Sequence, residues 1–139
     1  MNAIDTNVLV YSFDTDDPIR QQQAIELIDR LSEKPDDTVL PWQVIVECLA
    51  CLRRWVDRGR LSASDVDQHM ADVSVLFPVA MPSMNMIPSS LGLTSRHSLS
   101  HWDSLLIAAC IEANVETLYS EDLGDGEQYD SVTAVNPFA

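Results

Sequence analysis

Short strand-like segments of four or five residues alternate along this chain with longer amphipathic helical patterns, and this alternation restricts the fold more than any other feature. Strands joined through helices must run parallel and connect by right-handed crossovers, so the sheet they form is covered on both faces. Strands are expected at residues 2–5, 38–41, 77–81, 117–120 and 131–135. A turn at Asp5-Thr6-Asn7 leads into the apolar segment Val8 to Phe13. Pro18 opens a helix that presents Ala24, Ile25, Ile28 and Leu31 on one face and runs to Ser32. A second helix is expected from Trp42 to Val56, stopped near Gly59, and a third from Ser62 to Leu76. Pro88 and Gly92 interrupt residues 82–94, which read as a broken helix. Ser100-His101-Trp102-Asp103 begins another helix that ends at Asn114, and Glu121 to Asp130 reads as a polar loop. The expected class is α/β, a three-layer α/β/α sandwich with a short, mainly parallel central sheet.

With 139 residues the chain suits one domain spanning 1–139. Its longest apolar run, Leu105 to Ile111, is far below the roughly 20 residues a membrane helix needs, and no charged-then-apolar leader precedes the first strand. A soluble cytoplasmic protein without a membrane partner is expected. Cys48 and Cys51 have no second pair to complete a zinc site, so they read as reduced core residues. Four glycines, none in a phosphate-binding loop, argue against a nucleotide cofactor. Eight basic residues against 22 acidic ones leave a formal charge of -14, which repels polyanions. Any nucleic-acid role must therefore be local and metal-assisted. Arg53, Arg54, Arg58 and Arg60 form the one basic cluster.

Ligands of parallel sheets collect beyond the carboxyl ends of the strands. Asp5 and Asp122 each follow a strand, whereas Glu47 and Asp103 lie in the first turns of helices that open on the same edge. Carboxylates about 4 Å apart repel by ~4 kcal/mol at an effective dielectric near 20. Such a group either takes up protons or binds a hard divalent cation, and an all-oxygen donor set points to Mg²⁺ or Mn²⁺. A site of that kind suits phosphodiester hydrolysis. Each acid also has a plainer role: Asp5 as a helix cap, Asp103 as the partner of Ser100 in a capping box, Glu47 on a solvated stripe with Gln43 and Arg54, and Asp122 as a loop acid.

Four segments, in this order and spacing, resemble the PIN-domain superfamily: Ile4-Asp5-Thr6-Asn7-Val8-Leu9, Val46-Glu47-Cys48-Leu49, Leu99 to Ala109 around Asp103, and Leu118-Tyr119-Ser120-Glu121-Asp122-Leu123. Within that superfamily the chain is similar to the VapC-type toxin ribonucleases of type II toxin–antitoxin pairs. The resemblance implies a PIN-like fold in which Asp5, Glu47, Asp103 and Asp122 are catalytic and hold Mg²⁺ or Mn²⁺, with Asn7 and Ser120 steadying the carboxylates. It implies single-strand endonucleolytic cleavage of RNA, with a cognate antitoxin protein as partner, and leaves a homodimer open. Arg96 and His97, just before the Asp103 helix, and Arg54 are candidate substrate contacts. Where many relatives carry a further aspartate two residues beyond the position of Asp122, this chain has Gly124, so the number of ions stays open.

A phosphatase or phosphotransfer domain would also gather acids at strand ends. It needs a late active-site lysine, however, and the one lysine is Lys34, in a polar loop. The remaining rival is a PIN scaffold with weak or no catalysis that binds proteins or oligomerises.

Overall fold

The computed structural model describes residues 1–139. Its strands are β1 (Asn2–Ile4), β2 (Thr38–Pro41), β3 (Val79–Ala80), β4 (Thr117–Tyr119), β5 (Gln128–Tyr129) and β6 (Val132–Val135). They form one six-stranded sheet in the order β3-β2-β1-β4-β6-β5, parallel throughout except for β5, which pairs antiparallel with β6. The helices are α1 (Thr6–Phe13), α2 (Pro18–Ser32), α3 (Trp42–Asp57), α4 (Ala63–Leu76), α5 (Met86–His97) and α6 (His101–Glu112). Helices α1 to α4 pack on one another, and α5 packs on α6. Right-handed crossovers place the two groups on opposite faces of the sheet. The mainly parallel α/β/α architecture is therefore present.

The chain lays down β1, β2 and β3 in one direction and then returns to place β4 on the other side of β1. The order reverses between β1 and β4, and a crevice opens there beyond the carboxyl ends of the strands. The ladder continues past the strand ends, with Asp5 N donating to Tyr119 O and Ser120 N to Val135 O, both at 2.9 Å. Asp5 and Ser120 are thereby fixed side by side. Thirty buried residues form one apolar cluster beneath this edge, including Ile4, Leu40, Ile107 and Leu118.

The helix limits follow local chemistry. Ser62 caps α4 with a full capping box, its hydroxyl accepting from Asp65 N at 3.1 Å while Asp65 Oδ2 accepts from Ser62 N at 2.9 Å. Helix α3 ends where Gly59 takes a φ of 75°, and Arg60 N reaches back to Trp55 O at 2.8 Å.

Three expectations need correction. Residues 86–97 form one continuous helix because Pro88 falls in the first turn of α5, where its missing N–H has no intrahelical acceptor to lose. The expected strand 77–81 shrinks to Val79–Ala80, since Phe77 closes α4 as its C-cap. The polar loop 121–130 contains β5, whose turn onto β6 uses Asp130 at a φ of 53°, a conformation aspartate tolerates.

Candidate active site

Asp5 stands at the centre of the crevice and is 5% exposed. It caps α1, with Oδ1 accepting from Thr6 N at 2.7 Å, while Oδ2 accepts from the Ser120 hydroxyl at 2.7 Å. Burial pushes the Asp5 carboxyl up to about 6. The bonds from Ser120 and Thr6 pull it down, and the negative charges of Asp122 and Glu47 push it up further.

Asn7 ties the two strand ends together. Its Nδ2 donates to Asp122 Oδ2 at 3.2 Å and to Ser120 Oγ at 3.3 Å, with Asp5 Oδ2 at 3.5 Å. On the other side of the same amide, Oδ1 accepts from Glu121 N at 3.4 Å. Ser120 Oγ in turn accepts from Asp122 N at 3.1 Å. The loop after β4 is thus stitched to the start of α1, and Asp122 remains exposed at the rim.

Glu47 is half-buried on the first turns of α3, and both its oxygens are held. Thr6 Oγ1 donates to Oε2 at 3.0 Å, and Gln43 Nε2 donates to Oε1 at 3.1 Å. The solvated-stripe reading therefore does not describe Glu47. Gln43 Nε2 also lies 3.1 Å from the carbonyl oxygen of Trp102, which brings the first turn of α6, and with it Asp103, to the same region.

At Asp103 only half of the expected capping box forms. Ser100 Oγ accepts from Asp103 N at 3.2 Å, but no reciprocal bond runs from Ser100 N to the Asp103 carboxylate. That carboxylate is consequently not consumed by the cap.

Arg96 and His97 are both engaged by Asp130. Arg96 grips Asp130 through two bonds, of 3.3 and 2.5 Å, and His97 Nε2 lies 2.8 Å from the same carboxylate. They lock the β5–β6 turn to the end of α5. Arg54, by contrast, lines a cleft of about 480 Å³ together with Thr6, Asn7, Glu47 and Asp122. Arg60 lines it too, held by Asp14 at 2.7 Å and Asp16 at 3.0 Å and stacked 4.1 Å from the Trp55 ring centre.

All donors gathered here are oxygens, and the central carboxyl is buried beside two other acids, an arrangement whose chemistry fits a hard divalent cation. As the side chains stand, no group of three or more His, Cys, Asp or Glu is already closed around one ion position. Sequence reasoning missed Thr6 and the bridging role of Gln43. The i, i+4 spacing of Gln43 and Glu47 was a usable signal, because residues one turn apart on a helix meet. Of the three tryptophans, Trp55 is 6% exposed, whereas Trp42 and Trp102 are 43% and 61% exposed and flank an apolar groove of about 410 Å³ with Val46, Met84 and Ile87.

The fold is similar to several solved structures. A toxin–antitoxin complex from Klebsiella pneumoniae matches at a TM-score of 0.71 and 16% identity, covering 99% of this chain and 98% of that one. The Mycobacterium tuberculosis toxin VapC20, which cleaves the sarcin-ricin loop, matches at 0.66 and 18%, covering 96% and 99%. VapBC2 from Rickettsia felis, bound to a DNA fragment from its promoter, matches at 0.66 and 12%, covering 96% of each chain. No curated protein sequence matches. The sequence itself fits the family model of the PIN domain over residues 3–124, so the chain belongs to the PIN-domain family.

Proposed function

We propose that the protein is a metal-dependent endoribonuclease acting on single-stranded RNA, the toxin of a toxin–antitoxin pair. The observation that carries this reading is the convergence of Asp5, Glu47 and Asp122 on the point where the strand order of a PIN fold reverses, with Asp103 brought alongside through Gln43. The solved structures of similar fold include toxin–antitoxin complexes and an RNA-loop-cleaving toxin, which supports the same activity and an antitoxin partner here.

In this reading Asp5, Glu47, Asp103 and Asp122 hold Mg²⁺ or Mn²⁺, which when bound lowers the pKa of water and neutralises charge on the phosphate. Asn7 and Ser120 keep Asp5 and Asp122 oriented, and Thr6 does the same for Glu47. Arg54 meets an RNA phosphate in the cleft, since Arg60 is already committed to Asp14 and Asp16. Arg96 and His97 reach substrate only by giving up Asp130. No helix is long and apolar enough to cross a membrane.

The test is cleavage, within the single-stranded loops of a structured RNA, by purified protein with Mn²⁺, with Asp103→Asn in parallel. A rate lost in the variant supports the proposal, and equal rates expose a contaminating nuclease and sink it. A second reading, a protein-binding scaffold without catalysis, draws on the apolar groove around Trp42 and Trp102. Binding of a neighbour-encoded protein with no RNA cleavage under any metal condition would establish it instead.

A further inference from the structure

Gln–acid pairs one turn apart occur on three helices: Gln22 donates to Glu26 at 2.9 Å, Gln43 to Glu47 at 3.1 Å and Gln68 to Asp72 at 2.9 Å. Only the Gln43 amide also bonds to a different element, through the Trp102 carbonyl at 3.1 Å. The acceptor matters because the Trp102 carbonyl belongs to the peptide unit whose N–H is that of Asp103. That N–H is bonded to Ser100 Oγ at 3.2 Å. The peptide leading into Asp103 is thus held at both ends, by Gln43 on its oxygen and by Ser100 on its nitrogen, while the Asp103 carboxylate makes no hydrogen bond of its own. A carbonyl has two lone pairs, so this bond leaves the helix intact.

From this geometry we infer that Gln43 is a positioning residue that couples Glu47 on α3 to Asp103 on α6, fixing the spacing of two carboxylates toward one divalent cation. The inference rests on the metal-site reading above and deepens it. Gln43 touches neither ion nor RNA. Its two donors set the orientation of Glu47 and the position of the Asp103 backbone, and partners of this kind typically change metal affinity 10–100-fold when removed.

The experiment compares wild type, Gln43→Met and Gln68→Met. Mn²⁺ binding is titrated by electron paramagnetic resonance of the free ion, and thermal melting is followed in chelator. Methionine keeps the length of glutamine and removes both donors. Gln68→Met breaks an equivalent helical pair on α4 away from the acids, so it reports what loss of such a pair does by itself. The expected result is a Mn²⁺ dissociation constant raised about tenfold in Gln43→Met and unchanged in Gln68→Met, with the two metal-free melting curves shifted alike. Equal dissociation constants for wild type and Gln43→Met overturn the inference and leave the nuclease reading standing. A lowered metal-free melting temperature with unchanged Mn²⁺ affinity makes Gln43 a structural brace and overturns it as well. Wild type that binds no Mn²⁺ removes the metal-site reading and this inference together. Should Gln43→Met not fold, Gln43→Asn is judged by the same criteria, its amide one methylene too short to span both acceptors.

Discussion

Asp5 serves two structures at the level of a single side chain, because the carboxylate that caps α1 is also the most buried acid of the crevice. Its carboxyl sits near 6 in the fold against an ordinary value of 3.8, so the folded chain binds that proton more tightly than the unfolded one. This contribution to stability is fully present below about pH 4 and is lost as the pH rises through about 6. A shift of that size corresponds to roughly 3 kcal/mol as an upper figure. Metal-free protein should therefore lose stability between pH 4 and 6, and Asp5→Asn should flatten that slope, as denaturant melts in chelator will show. A slope unchanged in the variant would mean that another group titrates. Thr38 gives an independent residue-scale prediction. Its hydroxyl is buried without a hydrogen-bond partner at the start of β2, so Thr38→Val should stabilise the protein by about 1–2 kcal/mol in urea unfolding. Asp5 and Asp122 were singled out in the sequence because each lies just beyond a short strand pattern, Asp5 at its end and Asp122 two residues past Ser120. The pairing of Arg96 and His97 with Asp130 could not be read from the sequence, because the folded hairpin brings that carboxylate back to them from more than thirty residues away.

Two helix starts make a controlled comparison at the scale of elements. Ser62 and Ser100 both cap a helix through the N–H three residues on, but Ser62 has its aspartate reciprocating and Ser100 does not. Ser62→Ala and Ser100→Ala should each cost about 1 kcal/mol of stability. Only Ser100→Ala should also raise the Mn²⁺ concentration needed for half-maximal cleavage, because α6 alone of the two carries an acid of the candidate site in its first turn. Parallel unfolding and metal titrations will separate the effects, and an equal change in metal requirement for both variants would count against a role for Asp103. Most helices could be read from periodicity and caps, and the two elements that resisted, one helix and one strand, did so for physical reasons. Pro88 breaks a helix only in its interior, and a first-turn position cannot be recognised until the start of α5 is known. Strand β5 is two residues long and exists by pairing with β6, so its own sequence carries almost no periodic signal.

For the whole molecule the dominant quantity is the formal charge of -14. A basic nuclease loses substrate affinity steeply as salt rises, because phosphate contacts release counterions. Here the long-range term is repulsive, and of the two arginines in the cleft Arg60 is paired with Asp14 and Asp16, which leaves Arg54 as the local cation. Raising monovalent salt toward 0.15 M, where the screening length is about 8 Å, should leave kcat/KM for RNA level or higher. A steep fall would show that a basic surface governs binding after all. Divalent ion should also act on the fold: Mn²⁺ at about 100 times its dissociation constant should add about 2.7 kcal/mol, and Asp5→Asn should reduce that gain in a thermal shift.

The sheet ends on one side in β3 and on the other in β5, each only two residues long. So short a margin gives an incoming strand almost no row of free amides and carbonyls to copy, and the antiparallel turn at β5 closes the end further. Assembly by sheet extension is thereby discouraged on both flanks. Growth into fibrils should require prior melting of the β5–β6 hairpin, so the clasp that Arg96 and His97 make on Asp130 doubles as a safeguard against aggregation.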